Sequence, residues 1–373
     1  MQRSNMHLTV YAVEPYYGGS HRAWLDSLAT HSAHSISLFT MPARFWKWRM
    51  HGSAVTLSGM LPEKRPDLIL TTDMMDTALF TSLVRRKYPG VPVMAYFHEN
   101  QFGYPWEKGD PELRDGRTYH YQFINISSAL TADRVLFNSG YHRSMFLDAI
   151  PGFFSMMPDH RPEVASSISE KSTVVYPGIN ASGLFSPDRT CRNDKPVLVW
   201  NHRREYDKGP NEFEKFLHIL SIRNIPFSLI LLGGAARNDH PAFSRIAHDF
   251  ADSISFNGFA TERQQYKRLL SGADFAPVFS IQDFFGISIM ECAAAGVIPL
   301  LPRRLSYPEL YGNIGEIFYD SVEEIPEMMN RLTHERRSGI SEKLQKCAAS
   351  YDWEIMHTRY DREFENCVSR FGC

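Results

Sequence analysis

Cysteine is scarce in this chain and follows no pairing pattern. The five residues, Cys191, Cys292, Cys347, Cys367 and Cys373, are scattered over 373 positions without a Cys-x-x-Cys spacing. That argues against a disulfide framework and a cysteine-based zinc site, and the expectation is reduced thiols in a cytoplasmic protein. Fifteen histidines are present, yet none falls in a compact metal-ligand spacing such as His-Glu-x-x-His, so no metal site is expected. No apolar run reaches the ~18–20 residues of a membrane-spanning helix, and the chain enters a strand, Leu8–Val13, without a signal-like segment. Association with a membrane surface stays open. Net charge is only −2, so there is no global basic field, and a nucleic acid would have to be met by a local patch. No internal repeat or low-complexity tract occurs, and no protein partner is evident.

What is present describes a globular α/β protein. Hydrophobic residues make up 43 % and charged residues 22 %, and the length suffices for two cores. Aromatic content is high at 13 %, enough to line a binding surface as well as fill cores. Short apolar runs at Leu8–Val13, Ser35–Thr40, Leu68–Thr72, Val93–His98 and Arg134–Asn138 alternate with amphipathic segments such as His21–Thr30 and Asp76–Lys87. The alternation restarts with strands expected at Val197–Trp200, Phe227–Leu232, Ile254–Phe256, Phe275–Val278 and Val297–Leu300. Helices are expected between them at Asn211–Arg223, Pro241–Ala251 and Glu262–Ser271. This is the pattern of two parallel sheets covered on both faces. A polar stretch at 151–171 reads as an irregular join, and Val174–Asn180 as a strand leading into a linker. The domains expected are 1–175, 176–352 and a terminal helix, 353–373.

The most informative segment is 280–300. Asp283 and Glu291 are separated by seven residues, with Phe284-Phe285-Gly286 between them where a loop should turn into a helix. A helix N-terminus presents unpaired amides and a positive dipole end, which suits a phosphate. Gly286 allows the backbone to approach a ligand closely. Upstream, Asn201–Gly209 follows the first strand of the second half and carries Arg203 and Lys208, a guanidinium fork and a point charge suited to a diphosphate. The alternatives are a solvated turn here and a small-residue helix there. Gly233 and Gly234 end the next strand, for close ligand approach or for a tight turn. Phe259 is placed either against a nucleobase or in the core.

In the first half, Glu14–Arg22 holds Gly18, Gly19 and Ser20 after strand one, with Ser20 as the expected helix cap. Met41–Gly52 interleaves Trp46 and Trp48 with Arg44, Lys47, Arg49 and His51, stacking faces beside cations that suit a single-stranded nucleic acid or an exposed modified base. The two tryptophans share a face only in a strand, and an amphipathic rim under a loop is the alternative. Arg85, Arg86 and Lys87 extend the basic stripe or simply end a solvated helix. His98-Glu99-Asn100 ends an apolar strand, where His98 is structural or bonds a substrate hydroxyl. Asn138 ends another.

The acid-x7-acid segment resembles the signature of retaining GT-B glycosyltransferases of family 4, with Asp283 where those usually carry Glu, and Arg203 with Lys208 resembles their donor motif. The first half resembles one family more closely, the tRNA-queuosine α-mannosyltransferases. The matching pieces are Glu14–His21, Trp46–Gly52, Tyr96–Gln101 with Tyr104-Pro105, Asn125–Ala129 and Phe137–Ser139. In the second half His202-Arg203 with Asp207-Lys208, Phe284–Gly286 and Tyr307–Glu309 also match. The departures are Asp283, the polar insert near 151–171, and Asn201 where proline is expected.

The resemblance implies a GT-B fold: two doubly wound Rossmann-like domains facing across a cleft, the last helix crossing back to the first. It implies retaining transfer of mannose from GDP-mannose to the cyclopentene-diol of queuosine at the tRNA wobble position in the anticodon region, without a metal or other cofactor. Catalysis would fall to His98, Asp283, Arg203 and Lys208. The donor would be held by Gly18, Gly19, Ser20, Arg203, Lys208, Gly233, Phe259, Phe285, Gly286, Ile287 and Glu291. The acceptor would meet His21, Arg44, Trp46, Lys47, Trp48, Arg49, Glu99, Asn100 and Asn138. Two other readings stand beside it: a GT-B transferase with another nucleotide sugar and a lipid, glycan or small-metabolite acceptor, and a non-catalytic nucleotide-sugar or RNA-binding module.

Overall fold

The structure is a computed structural model that describes residues 6–106, 109–114, 118–158, 161, 163–185, 195–233, 239–332 and 334–372. Gly234, Ser186, Pro187, Cys191 and Cys373 lie outside those residues. The chain forms two units, Met1–Gly178 with Trp353–Cys373, and Ile179–Asp352. The boundary thus falls three residues beyond the one read from sequence.

The first unit is a parallel sheet of β1 (Thr9–Tyr17), β2 (Ser35–Pro42), β3 (Leu68–Thr72), β4 (Val93–Phe97), β5 (Arg134–Phe137) and β6 (Ser172–Val174), in the order β2-β1-β3-β4-β5-β6. Every residue of β3 and β4 is buried, as expected for continuous apolar runs covered on both faces. Its helices are α1 (Gly19–His31), α2 (Trp46–Met60), α3 (Thr77–Val84), α4 (Pro111–Arg114), α5 (Tyr119–Thr131), α6 (Gly140–Ser155) and α7 (Val164–Glu170). Two expectations are corrected here. The polar stretch 151–171 is not an irregular join, because α6 runs through Pro151 and α7 follows. Residues 46–60 are a helix, which buries Met50, Ser53, Ala54 and Leu57 at i, i+3, i+4 and i+7 spacing.

The terminal helix, Trp353–Phe371, belongs to this unit and docks through aromatic side chains. Trp24 stacks on Tyr96 at 4.5 Å, and Trp353 lies 5.8 Å from Tyr360. Trp24 Nε1 donates to the Tyr360 hydroxyl at 2.9 Å, and that hydroxyl lies 3.1 Å from the Tyr176 carbonyl. Arg134 pairs with Glu363 at 2.8 Å, and the Ala33 amide donates to Asp361 at 3.0 Å. Tyr360→Phe leaves the buried indole N–H without an acceptor. The expected cost is about 1–3 kcal/mol in urea unfolding of the full chain.

The second unit is a parallel sheet of β7 (Val197–Asn201), β8 (Ser228–Leu232), β9 (Ile254–Asn257), β10 (Phe275–Pro277), β11 (Ile298–Pro302) and β12 (Phe318–Tyr319), ordered β12-β11-β10-β7-β8-β9. Its helices are α8 (Pro210–Ile222), α9 (Ala242–Asp249), α10 (Arg263–Ser271), α11 (Ile287–Ala294), α12 (Tyr307–Tyr311), α13 (Ile325–Arg331) and α14 (His334–Ala349). This is the Rossmann strand order, which reverses between β7 and β10. The first sheet reverses between β1 and β3. Open α/β sheets bind ligands beyond the carboxyl ends of the strands flanking such a reversal, so each unit has one favoured place for a site.

Candidate active site

At the β7/β10 reversal, residues after both strands converge on two carboxylates. β7 runs into His202 and Arg203, then a single 3-10 turn, Tyr206–Lys208, ends at Gly209. Asp207 is buried and takes both cations on one oxygen: Lys208 Nζ lies 3.2 Å and Arg203 Nη2 3.7 Å from its Oδ2. Lys208 also donates to the Gln282 carbonyl at 2.9 Å and sits 3.7 Å from Asp283 Oδ2. Burial disfavours the Lys208 cation, but Asp283 and Asp207 outweigh that and hold its pKa above the ordinary value. Arg203 is the more exposed of the two and pairs with Glu205 at 2.7 Å.

Asp283 is fixed from a third direction by the Tyr307 hydroxyl, which donates to its Oδ2 at 2.9 Å. Gly286 caps α11 at φ +82, in the left-handed region, and a Cβ there would lie 3.4 Å from Asp283 Oδ2 and 3.3 Å from the Tyr307 ring. The first amides of α11, from Ile287, have no intrahelical acceptor. Lysine, arginine, the Asp283 carboxylate and a helix N-terminus are thus gathered at one reversal. Glu291, one turn into α11, is aimed by Arg263 at 2.9 Å and Tyr266 at 2.7 Å, and Asn201 holds the Tyr266 hydroxyl at 2.8 Å. Tyr307→Phe removes a hydrogen bond to a charged group. The transferase rate is expected to fall roughly tenfold, about 1.5 kcal/mol, with the thermal midpoint of the second unit little changed.

Two expected donor residues, Phe285 and Gly233, are placed differently. Phe285 is buried against Tyr351 at 5.4 Å and is a core residue. Gly233 packs its backbone on the His202 carbonyl, so its lack of a side chain serves sheet packing there. Phe259 is exposed and available beside the β9 end. His202 is buried, and burial followed by the Lys208 charge lowers it to about 3, so it is neutral near pH 7.

The reversal of the first sheet carries a second cluster. Glu14 is fully buried on β1, and Asp73 follows β3. Glu14 Oε2 lies 3.3 Å from His21 Nδ1 and 3.9 Å from His98 Nε2, and the two imidazole rings are 4.1 Å apart. The His98 amide donates to Asp73 at 2.7 Å, and its carbonyl accepts from Asn138 Nδ2 at 2.7 Å. One carboxylate and two imidazoles within 4.8 Å look like a metal-ligand set, but Glu14 and His21 are an ion pair, and we assign no metal to them. Glu214, His218 and Asp249 are likewise close, and there Arg245 occupies both Glu214 oxygens at 2.6 Å.

Several other expected site residues, on the donor and acceptor sides, are placed differently. Ser20 does not cap α1; Gly18 does, and Gly19 and Ser20 form its exposed first turn. Asn100 is fully buried, and its Oδ1 accepts from the amides of Phe102 and Gly103, so it shapes a turn. Asn138 holds His98 and His142. Because 46–60 is helical, Trp46 and Trp48 point apart. Trp46 packs on Tyr121 at 5.1 Å and Trp106 at 5.7 Å, and Lys47 is paired with Asp110 at 2.8 Å and Glu112 at 3.2 Å. Trp48 is exposed, alongside Arg44 and the exposed Phe45; Arg49 lies on the same turn with its guanidinium near the Pro42 carbonyl. Glu99 is half-buried after β4. Sequence reasoning missed Glu14, Asp73, Asp207, Tyr266 and the bond from Tyr307.

Two Rossmann-like sheets, the second with cations, an acid and a helix N-terminus gathered at its reversal, define a glycosyltransferase of GT-B fold. Known structures agree on that fold. Anabaena HepE, solved with UDP and glucose, superposes at a TM-score of 0.69 with 14 % identity, covering 96 % of this chain and all of that one. Sucrose-phosphate synthase from Thermosynechococcus elongatus gives 0.70 with 13 % identity, covering 97 % and 99 %. Residues 9–179 match the model for the N-terminal region of tRNA-queuosine alpha-mannosyltransferase, and the Drosophila melanogaster enzyme of that name is 29 % identical over 313 residues, 81 % of each chain. Over that region, and along most of its length, the chain is similar to the tRNA-queuosine α-mannosyltransferases.

Proposed function

We propose that this glycosyltransferase moves mannose, with retention, from GDP-mannose to the cyclopentene-diol of queuosine at the wobble position of tRNA. The observation that carries the donor half is the convergence of Lys208, Arg203, Asp283 and the α11 N-terminus, a neutralising frame for a leaving diphosphate that needs no metal. The name of the Drosophila relative supports the sugar and the acceptor.

In this reading Lys208, Arg203 and the amides at Gly286 and Ile287 take the charge that develops on the diphosphate, the kind of preorganised stabilisation that contributes most to such reactions. Asp283 binds sugar hydroxyls and Glu291 the ribose, with Phe259 flanking the base. The incoming hydroxyl attacks from the leaving-group side and passes its proton to the departing phosphate, and His98 offers its ring to a substrate hydroxyl. On the acceptor side the exposed ring of Trp48, with Arg44 and Arg49, meets the anticodon loop. Such a reaction belongs in the cytoplasm, where tRNA is found.

The test is incubation with GDP-mannose and queuosine-containing tRNA, with UDP-galactose and UDP-glucose in parallel, followed by nucleoside mass analysis. A hexose added to queuosine only with GDP-mannose is the expected result. An unchanged nucleoside with every donor overturns the reading. Stacking on an aromatic ring contributes about 1–3 kcal/mol per base, so Trp48→Ala should raise the KM for tRNA roughly tenfold while leaving GDP affinity alone.

A further inference from the structure

We infer that Glu14 is a positioning residue, a buried carboxylate that ion-pairs His21 and thereby leaves the neighbouring His98 ring uncharged, its Nε2 edge reserved for a substrate hydroxyl. Its kinetic arm rests on the transferase reading; its structural arm does not.

The geometry is specific. Glu14 has no exposure, and its Oε1 is fixed by the amide of Tyr16 at 2.7 Å. Its other oxygen faces two imidazoles and is closer to His21, at 3.3 Å against 3.9 Å for His98. Two rings 4.1 Å apart cannot both carry charge cheaply in a buried site, so the carboxylate decides which one does. His98 is meanwhile locked in place. Trp24 meets its ring edge-on at 4.6 Å, Asp73 accepts its amide and Asn138 binds its carbonyl. Its buried Nε2 nevertheless has no hydrogen-bond partner among the described residues. An orphaned buried polar atom needs a reason, and a ligand hydroxyl supplies one for His98 at the carboxyl edge of β4.

The charges around the cluster agree. Groups facing it are Glu14 from β1, His21 from α1, Asp73 after β3, Glu99 after β4 and His142 from α6. Burial pulls His21 down, but Glu14, with Asp73 and Glu99, outweighs it and raises His21 to about 9. Burial, the His21 charge and then His142 press His98 well below its ordinary value. Burial also raises Asp73, against the pull of His21. A positive His21 and a neutral His98 are therefore the pattern near pH 7, and the neutral ring can exchange a hydrogen bond with a hydroxyl while the nearby Glu14 oxygen stays committed to His21.

The experiment has two arms on the full chain. In nitrogen-15 histidine spectra at pH 7.5, His21 should appear doubly protonated and His98 singly protonated. In Glu14→Gln, His21 should lose its proton below pH 7. In the kinetic arm, wild-type kcat/KM should hold from pH 8 down to 5.5, whereas Glu14→Gln should match it at pH 8 and fall severalfold by pH 5.5, because the proton no longer held on His21 is shared with His98. Glu14→Asp should restore most of the loss at pH 5.5. A wild-type His21 that titrates near 6.5 overturns the inference, as does a Glu14→Gln profile parallel to wild type. If Glu14→Gln does not fold, the wild-type spectra and Glu14→Asp decide. A protonation pattern as described with no transfer to any acceptor would instead count against the transferase reading alone.

Discussion

Lys208→Ala is expected to lower kcat/KM for glycosyl transfer by about 100- to 1000-fold, the usual loss of about 3–4 kcal/mol when one preorganised charge donor is removed from a transition state. Three features make Lys208 the most exposed test of the site. It is nearly buried, so its charge acts in a poorly screened environment. It is held by Asp207, Asp283 and the Gln282 carbonyl, so little reorganisation is needed when a second anion arrives. Its pairing with Asp283 also ties the diphosphate grip to the acid that faces the sugar. Removing it leaves Asp207 with Arg203 as its remaining cation, so some stability is lost too, and the thermal midpoint must be read beside the rate. Lys208→Arg should recover part of the rate, because a guanidinium keeps the charge but needs more room than the site leaves.

Gly209→Ala is expected to be a strongly damaging single-methyl change in the second unit. Gly209 ends the 3-10 turn that carries Lys208 and begins α8, at φ +70, where an L side chain costs roughly 1–2 kcal/mol. A Cβ there would also collide with the Phe279 carbonyl and lie 2.9 Å from its Cβ, which adds about 1–3 kcal/mol of overpacking. The sum, about 2–5 kcal/mol, should appear as a shifted urea midpoint with an unchanged slope. The same shift moves Lys208, so activity should drop even at temperatures where the variant is folded. Gly19→Ala, with nothing within 4 Å of its Cβ, is the control that carries left-handed strain without a collision.

Where one element sufficed, the sequence was legible. The buried strands β3, β4, β5, β7 and β8 were readable within one or two residues, because a continuous apolar run bounded by turn residues has few other solutions. The last helix was legible from Trp353 onward because its aromatic residues recur at helical spacing. β1 was read too short, since Glu14-Pro15 looks like a loop. Pairing of β1 with β3 ends at Val13, and only a shifted edge with β2 continues to Tyr17, which tolerates a proline. α2 was missed for a different reason. Its inward face is Met50, Ser53, Ala54 and Leu57, small or mixed, while its outward face carries Trp48, Val55 and Met60, so the apolar stripe is blurred. Residues 151–171 read as an irregular join because of Pro151 and the polar composition, yet α6 absorbs that proline and α7 follows.

The site divided along the same line. Arg203, Lys208, Asp283 and Gly286 sit in compact local motifs, and the structure gathers them at one reversal. Tyr266 and Arg263, which aim Glu291, lie on a different helix and could be found only through the fold. Glu14 left a faint signal, an acid closing an apolar strand and followed by a histidine at the start of a helix. Its burial between two imidazoles depends on β4 lying beside β3 and β3 beside β1, which no local spacing reveals.

If a nucleoside diphosphate is held where Lys208, Asp283 and the α11 N-terminus meet, titration calorimetry of GDP against the wild-type chain and Lys208→Ala will show it. Wild type should bind, and the variant should bind at least tenfold more weakly, about 1.4 kcal/mol. Equal affinity in the two, with both folded, would mean that the diphosphate is held elsewhere.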